Sequence, residues 1–209
     1  MLPIRKKNGD IRICIDFRNI NKASQKDNFP LPTVEKTLHS VAGSELMSFL
    51  DGFSGYNQIL LHPDDRLEIT FKTKWRTYAY QKMPFRLINA RATFQREMDI
   101  VFKGLINKPV VINLDDIIVF SKKISNHLYD LKQIFDRCKR YGISLNPKKS
   151  FFALDQGKLL GFIVSNDGIY IDLESIKEIF DIPFPHNKKA MRSFLGQINF
   201  VKIFVPYFS

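Results

Sequence analysis

Cysteine and histidine are scarce in this chain of 209 residues. Its two cysteines, Cys14 and Cys138, are too few for a disulfide framework or a four-thiolate zinc site, and they suit a reducing compartment. The four histidines are scattered without the spacing of metal ligands, so we interpret them as structural or surface residues. These absences exclude the disulfide-stapled and zinc-stabilised classes of small protein.

Long apolar runs, internal repeats and low-complexity tracts are also missing. No run is long enough to span a bilayer, and the first seven residues lack the apolar core of a signal peptide. We therefore expect no membrane partner. A hydrophobic content of 44% argues against disorder, and the length allows one large domain or two small ones.

Acidic residues are outnumbered by basic ones, at 21 Asp and Glu against 32 Lys and Arg, which gives a net charge of +11. Such an excess favours polyanionic partners, with nucleic acid first and anionic membrane second. Nucleic acid is the better prediction because no basic amphipathic anchor is present. A basic protein without such a partner is the alternative.

Two adjacent carboxylates, Asp115 and Asp116, stand between two apolar runs, residues 110–114 and 117–120. The β-branched composition of these runs predicts two buried strands with the acidic pair at the hairpin turn. A simple solvated turn is the alternative, since Asp is an ordinary turn residue. Carboxylates held against a core are costly unless a metal or another cation compensates them.

A third carboxylate, Asp51, is predicted at the end of another strand, residues 46–50, and Tyr56 follows five residues later. Three carboxylates on neighbouring strands of a basic protein suggest divalent cation binding for phosphoryl chemistry. Oxygen ligands suit Mg²⁺, which proteins share with substrate phosphates. Two such ions about 3.5–4 Å apart would activate the attacking oxygen and stabilise the leaving oxygen.

The remaining pattern is mixed. Alternation predicts a half-buried strand over residues 11–17, whose polar face carries Arg12 and Arg18 near Lys6 and Lys7. That face is either a phosphate site or a solvated surface. Further strands are predicted at 67–71, 75–81, 159–164 and 169–171, and helices at 89–104, 125–141 and 188–201. The order predicts an α+β fold with an antiparallel sheet that carries helices on one face.

Short segments also occur in a characteristic order along almost the whole chain. They are RICIDFR (12–18), FPLP (29–32), Asp51 with SGYNQI (54–59), MPF (83–85), ATFQ (92–95), the Asp115–Asp116 pair, LGF (160–162) and RSFLG (192–196). Together they closely resemble the reverse transcriptase domain of gypsy-type (metavirus) long-terminal-repeat retrotransposon Pol polyproteins.

The resemblance implies a right-hand polymerase fold with an antiparallel palm sheet and an incomplete thumb. By that implication, residues 1–27 and 59–89 form the fingers, 28–58 and 90–169 the palm, and 170–209 the start of the thumb. The implied activity is RNA-directed DNA synthesis from deoxynucleoside triphosphates on an RNA or DNA template with a primer. The implied location is the cytoplasm, within a virus-like particle. The oligomeric state is not indicated.

The resemblance also implies residue roles. Asp51, Asp115 and Asp116 would hold two Mg²⁺ ions, with Mn²⁺ as a substitute. The nucleotide would be bound by five residues: Lys6, Lys7 and Arg12 at the triphosphate, Tyr56 against a 2′-hydroxyl, and Phe85 in the pocket wall. The primer end would be positioned by Asn113, Leu160 and Gly161. For Phe85 and Leu160, core packing is the alternative.

Three positions depart from the family pattern. Asn113 stands where the family has Tyr, Arg86 where it has Gly, and Arg91 where it has Pro. A Gly at such a position usually reflects a special backbone angle or a close approach to a ligand. The alternative function is therefore a decayed or truncated copy that is catalytically weak or dead and at most binds nucleic acid. We further expect the fingers to be incomplete before Met1 and the thumb to be incomplete at Ser209.

Overall fold

The computed structural model of the chain describes residues 2–5, 9, 11–52, 55–114, 116–172, 176–177, 182 and 184–201. The strands in these ranges are β1 (Leu2–Arg5), β2 (Ile11–Cys14), β3 (Leu46–Asp51), β4 (Phe71–Lys72), β5 (Thr77–Tyr78), β6 (Val110–Asn113), β7 (Asp116–Ser121), β8 (Phe151–Leu154), β9 (Gln156–Leu159), β10 (Phe162–Ser165) and β11 (Gly168–Ile171). The α-helices are α1 (Arg18–Ala23), α2 (Val34–Val41), α3 (Pro63–Glu68), α4 (Ala90–Val101), α5 (His127–Tyr141) and α6 (Lys188–Val201). Short 3₁₀ helices span Gly55–Gln58 and Ile124–Asn126.

The largest sheet has four antiparallel strands in the order β6-β7-β3-β8. Its central pair is β3 and β7, whose register runs from Leu46 opposite Ser121 to Asp51 opposite Asp116. β6 and β7 form the predicted hairpin around the acidic pair. The α+β class and the antiparallel sheet predicted from the sequence are confirmed.

Both faces of the β6-β7-β3 part of this sheet are buried. Along β7, Ile117 and Val119 join a core with α4 and α5, whereas Ile118 and Phe120 join a second core on the opposite face. That second core is closed by α2 and by the small sheet β11-β10-β9. The expectation of helices on one face only is therefore wrong, because the apolar residues of β7 are consecutive rather than alternating.

A third, smaller core lies away from the central sheet. Ile15, Phe17 and Ile69 are buried there, and Phe71 and Tyr80 pack against them. The ring of Tyr80 lies 6.4 Å from that of Phe17 and 5.4 Å from that of Phe71. These contacts bring the segment after β2 onto the base of the β4–β5 hairpin.

Local chemistry explains where several elements begin and end. Thr33 caps α2 by accepting a hydrogen bond from the Lys36 amide at 3.3 Å. α5 ends at Gly142, whose φ of +69° is the left-handed conformation that glycine adopts without strain. The helices predicted over 89–104 and 125–141 are both present, with bounds shorter by one to three residues.

Several predicted strands are shorter or interrupted in the structure, and that over residues 11–17 is confined to β2. Most of 67–71 is not strand, since Pro63 starts α3 and Asp64 and Asp65 lie in its first turn, where acidic side chains favour the helix dipole. The predicted strand 159–164 is interrupted by Leu160 and Gly161, which form a two-residue turn between β9 and β10 with φ of +53° and +86°. The strand predicted over 75–81 is confined to β5.

A buried polar network ties α5 to the central sheet. His127 is 2% exposed, and its Nε2 and Nδ1 lie 2.8 Å and 2.9 Å from the hydroxyls of Ser48 and Ser121. Ser121 also donates to Asp130 at 2.6 Å. Burial lowers the pKa of His127 despite the opposing effect of Asp130, so the ring is neutral at pH 7. The interpretation of this histidine as structural agrees with these contacts.

Candidate active site

Asp51 and Asp116 are direct cross-strand partners at one end of β3 and β7. Opposed side chains in an antiparallel pair have Cβ atoms about 4.5–5.5 Å apart, so two negative charges are held close together. The register that places these two residues opposite each other continues along both strands to Leu46 opposite Ser121. The sequence-predicted juxtaposition of these two carboxylates is present in the structure.

The surroundings of Asp116 disfavour its negative charge. The residue stays accessible to water, but protein atoms crowd its carboxyl group, and this partial desolvation raises the pKa of Asp116. The neighbouring charge of Asp51 raises that pKa further. Two carboxylates in this state gain from a cation placed between them.

Asp51 is held by a loop that begins after α5. Asn146 donates from its side-chain amide to Oδ2 of Asp51 at 3.2 Å, and its backbone N–H donates to the Asp51 carbonyl at 2.8 Å. The Ser150 hydroxyl accepts from the Asp51 amide at 3.3 Å and donates to the Asn146 carbonyl at 2.8 Å. Lys149 places Nζ 3.8 Å from Oδ2 of Asp51, and its side chain is largely exposed. These contacts fix Asp51 by main chain and side chain together.

Sequence reasoning missed this supporting role of Asn146 and Ser150. The sequence analysis gave these residues no role, because nothing in the sequence pairs Asn146 with a carboxylate 95 positions earlier. The Asn-Pro start of the turn is the one local signal, because Asn side chains in turns commonly satisfy backbone and side-chain partners.

The turn between β6 and β7 is tight. Asn113 pairs with Asp116 across the hairpin, and Leu114 has a φ of +57°, which is unusual for a branched side chain. Asn113 is half-buried. Asp115, the third predicted carboxylate, lies outside the described residues.

The donor set fits a hard divalent cation. Carboxylate oxygens are the ligands that Mg²⁺ prefers, and a cation would relieve the repulsion between Asp51 and Asp116. Within the described ranges, no group of three or more His, Cys, Asp or Glu side chains forms a metal centre. The described part of the chain thus supplies two of the three predicted ligands.

A cleft of about 610 Å³ opens beside the two carboxylates. Asp51 and Asp116 line one end of it, and Leu160, at the tip of the β9–β10 hairpin, lines it as well. Lys148, Lys149 and Lys158 also contribute to the wall. The structure therefore brings the predicted primer-positioning Leu160 to the same cavity as the carboxylates, and Gly161 follows it in the same turn.

Tyr56 and Phe85 lie against each other. Tyr56 is buried in the 3₁₀ turn that follows β3, with its ring 5.3 Å from Phe94 and 6.1 Å from Phe85. Phe85 itself is 53% exposed. Phe85 thus comes from the segment after β5 to pack on Tyr56, and it is the exposed member of this aromatic pair.

Arg86, one of the three departures, has a φ of +82°. Its carbonyl accepts a hydrogen bond from the Asn21 side chain at 2.9 Å, and Asn21 accepts from the Ile88 amide at 2.9 Å. This bracing holds an arginine in a conformation that glycine adopts more readily. Arg91, a second departure, is exposed in the first turn of α4, which forms without the expected proline.

The predicted phosphate face is only partly described. Arg18 is paired with Asp16 at 2.7 Å, and its hydrogen bonds lower the pKa of Asp16 to about 2. Arg18 is thus engaged by its own neighbour, and both side chains remain exposed. Arg12 lies in β2, but its side chain, together with Lys6 and Lys7, is outside the described residues.

Comparison with known proteins gives a consistent result. A family model described as "Reverse transcriptase (RNA-dependent DNA polymerase)" matches residues 4–164. The chain is 32% identical to the retrovirus-related Pol polyprotein from transposon 297 of Drosophila melanogaster over 198 residues, which is 95% of the chain and 19% of that protein. It is 32% identical over 202 residues to the corresponding polyprotein from transposon gypsy, covering 97% of the chain and 20% of the relative. The chain spans about a fifth of the length of these relatives.

Solved structures share the fold. A foamy viral protease–reverse transcriptase in complex with double-stranded DNA matches with a TM-score of 0.86 and 24% identity, over 99% of the chain and 36% of that protein. The foamy viral enzyme in complex with an RNA/DNA hybrid matches with a TM-score of 0.77 and 22% identity, over 95% of the chain and 27% of that protein. The arrangement of sheets and helices described above is therefore shared with these foamy viral proteins.

Proposed function

Because the chain belongs to the reverse transcriptase (RNA-dependent DNA polymerase) family and resembles the domain found in retrotransposon Pol polyproteins, we propose that it catalyses template-directed DNA synthesis. The observation that carries the proposal is the cross-strand pair of Asp51 and Asp116, which opens on the same cleft as Leu160. A paired-carboxylate centre of this kind suits nucleotidyl transfer.

In the proposed reaction, the primer 3′-hydroxyl loses its proton and its oxygen forms a bond to the α-phosphorus of a deoxynucleoside triphosphate. The bond from that phosphorus to the bridging oxygen breaks, and pyrophosphate leaves. Members of the family generally depend on divalent metal ions. Two Mg²⁺ ions, or Mn²⁺ in their place, would activate the attacking oxygen and stabilise the leaving oxygen when bound.

Different residues of the chain would bind the metal ions and hold the metal ligands in position. Asp51 and Asp116, with Asp115, would bind the metal ions. The Asn146 loop keeps Asp51 in place, and the nearby Lys149 limits repulsion between the carboxylates when no ion is bound. Such pre-orientation matters because small displacements of catalytic groups are costly in rate.

Tyr56 and Phe85 would select the nucleotide. Tyr56 is fixed by Phe94 and is therefore suited to stand as a rigid wall beneath the incoming sugar. Phe85 would extend that wall toward the base, and Lys6, Lys7 and Arg12 would contact the triphosphate. Leu160, Gly161 and Asn113 would position the primer end. We assign residues 1–27 and 59–89 to fingers, 28–58 and 90–169 to palm, and 170–209 to the start of the thumb.

In the parent polyprotein, the working partners would be an RNA or DNA template with its primer, inside a cytoplasmic particle. The foamy viral relatives of similar fold are described with double-stranded DNA and with an RNA/DNA hybrid. The net charge of +11 supports a polyanionic partner.

Primer extension on an RNA template with Mg²⁺ tests the proposal. The chain is compared with its Asp116→Asn variant and with a triple variant, Arg86→Gly, Arg91→Pro and Asn113→Tyr, which restores the family pattern. We expect the parent chain to extend the primer and the Asp116→Asn variant to show no extension. Activity in the triple variant alone would support the alternative, a decayed copy with a correct fold. No extension by either the parent chain or the triple variant would refute polymerase activity for this chain.

A further inference from the structure

The β4–β5 hairpin, residues 71–78, carries an exposed aromatic tip. Trp75 is the chain's single tryptophan, and it is 74% exposed. Lys74 lies over its ring, with Nζ 4.6 Å from the centroid. Tyr78 is also well exposed, and its ring stacks on Phe71 at 5.9 Å. A large, amphipathic ring left in water on a folded surface is typical of a binding residue rather than a packing residue.

The tip is rigid. The Thr73 hydroxyl accepts hydrogen bonds from the amides of Trp75 at 3.2 Å and Arg76 at 3.1 Å. It also donates to the Arg76 carbonyl at 2.9 Å. At the base, Phe71 packs on Tyr80, and Tyr80 on Phe17, within the smaller core. Trp75 is therefore presented on a fixed support, which lowers the entropy lost when a ligand binds.

The charge of this region has one sign. From Ile69 to Arg96 the sequence contains no Asp or Glu, whereas the hairpin itself carries Lys72, Lys74 and Arg76, all of them exposed. Among the described residues, none of these three cations forms an ion pair with a carboxylate. Their charge is available to a polyanion.

We propose that the hairpin binds unpaired, single-stranded nucleic acid. A base stacks on the Trp75 ring, and Lys72, Lys74 and Arg76 contact the flanking phosphates. Alternating aromatic and cationic side chains on a short, rigid element are the chemistry of single-strand binding, because every base has a stacking face and every linkage a charge. The inference rests on the proposed function in one respect: a template strand ahead of the primer would supply the unpaired ligand.

The single tryptophan makes the test direct, since all indole fluorescence of the chain comes from Trp75. The chain is titrated with a short oligothymidylate, with a duplex of the same length, and with polyglutamate. We expect saturable quenching by the single strand and much weaker quenching by the other two. Quenching that is absent, or equal with duplex or polyglutamate, overturns the proposal in favour of duplex or acidic-protein binding.

Variants separate stacking from charge, with binding followed by the anisotropy of a labelled oligothymidylate. Trp75→Ala should weaken binding roughly 5- to 100-fold, and Trp75→Phe should retain most of it. Arg76→Gln should reduce the slope of log K against log salt by about 0.7, since one phosphate contact is lost. Tyr129→Ala, at a similarly exposed aromatic on α5, is the matched control and should have no effect. Equal effects of Trp75→Ala and Tyr129→Ala would refute the assignment.

The two proposals fail independently. Asp116→Asn should abolish primer extension while leaving the quenching of Trp75 intact. Extension without quenching would refute only the hairpin site, and quenching without extension would refute only the polymerase activity.

Discussion

At Gly157, in the wall of the cleft, an added side chain is predicted to destabilise the fold. A Cβ atom at this position would lie 2.2 Å from Cε2 and 2.3 Å from Cζ of Phe49. Carbon atoms in contact are normally about 3.5–4.0 Å apart, so the ring would have to move by more than 1 Å. Phe49 is half-buried in β3, two residues before Asp51, and both side chains point to the same face of the strand.

The expected cost of Gly157→Ala follows from these contacts. Overpacking of this kind destabilises by about 1–3 kcal/mol. Restricting the unfolded chain returns about 0.5–1 kcal/mol, because alanine has less conformational entropy to lose than glycine. The middle of both ranges gives a net loss of about 1 kcal/mol, or a fall in Tm of about 2–4 °C for a chain of this size.

Urea unfolding followed by circular dichroism measures the change, since the exposed Trp75 would report little on unfolding. Gly196→Ala is the matched control, because a Cβ there meets nothing within 4 Å and the residue lies inside α6. That variant should be stabilised by about 0.5–1 kcal/mol. Adding Phe49→Leu should relieve the Gly157→Ala strain. A Gly157→Ala protein as stable as the parent would refute the packing argument.

Three further predictions concern charge and backbone. Arg86→Gly should stabilise the fold by about 0.5–1 kcal/mol, because relief of the left-handed conformation exceeds the entropy cost of glycine, and should speed nucleotide incorporation. Arg91→Gly, at a helical position, should destabilise, and equal effects of the two would contradict this reasoning. Asp116→Asn should raise the free energy of unfolding at pH 7, since the raised pKa of Asp116 means that its ionisation opposes folding; unchanged or lower stability would argue against it. Because the pKa of His127 is lowered, the free energy of unfolding should be greatest above the unfolded-state pKa of about 6.5 and should decrease as the pH falls below it. His127→Gln should remove this decrease at acid pH. Identical pH profiles of stability for both proteins would contradict the assignment.

The strands that carry Asp51 and Asp116 could be predicted because their signal is local. The apolar residues that precede Asp51 and follow Asp116 define these two strands. The departure at Arg86 was equally visible, and its φ of +82° agrees with the expectation of a glycine-like backbone. These features depend on residues within a few positions of each other.

The features that the sequence did not predict have physical causes of another kind. Leu160 occupies a turn with positive φ, where glycine or asparagine is the usual signal, so the hairpin had no turn residue at its first position. The contact between Gly157 and Phe49, and that between Asn146 and Asp51, join residues that only the tertiary fold brings together. No periodicity or propensity carries such information.

The strand order β6-β7-β3-β8 has a consequence for synthesis of the chain. β3 leaves the ribosome first, yet both of its neighbours, β7 and β8, are made roughly 70 and 100 residues later. Until then both edges of β3 are unpaired, and the strand is prone to wrong pairing. Its residues Met47 and Leu50, which are buried on opposite faces of the finished sheet, are exposed during this interval. β3 therefore cannot complete its pairing until β8 has been made, and the loop residue Asn146, which binds Asp51, is also made 95 residues after it.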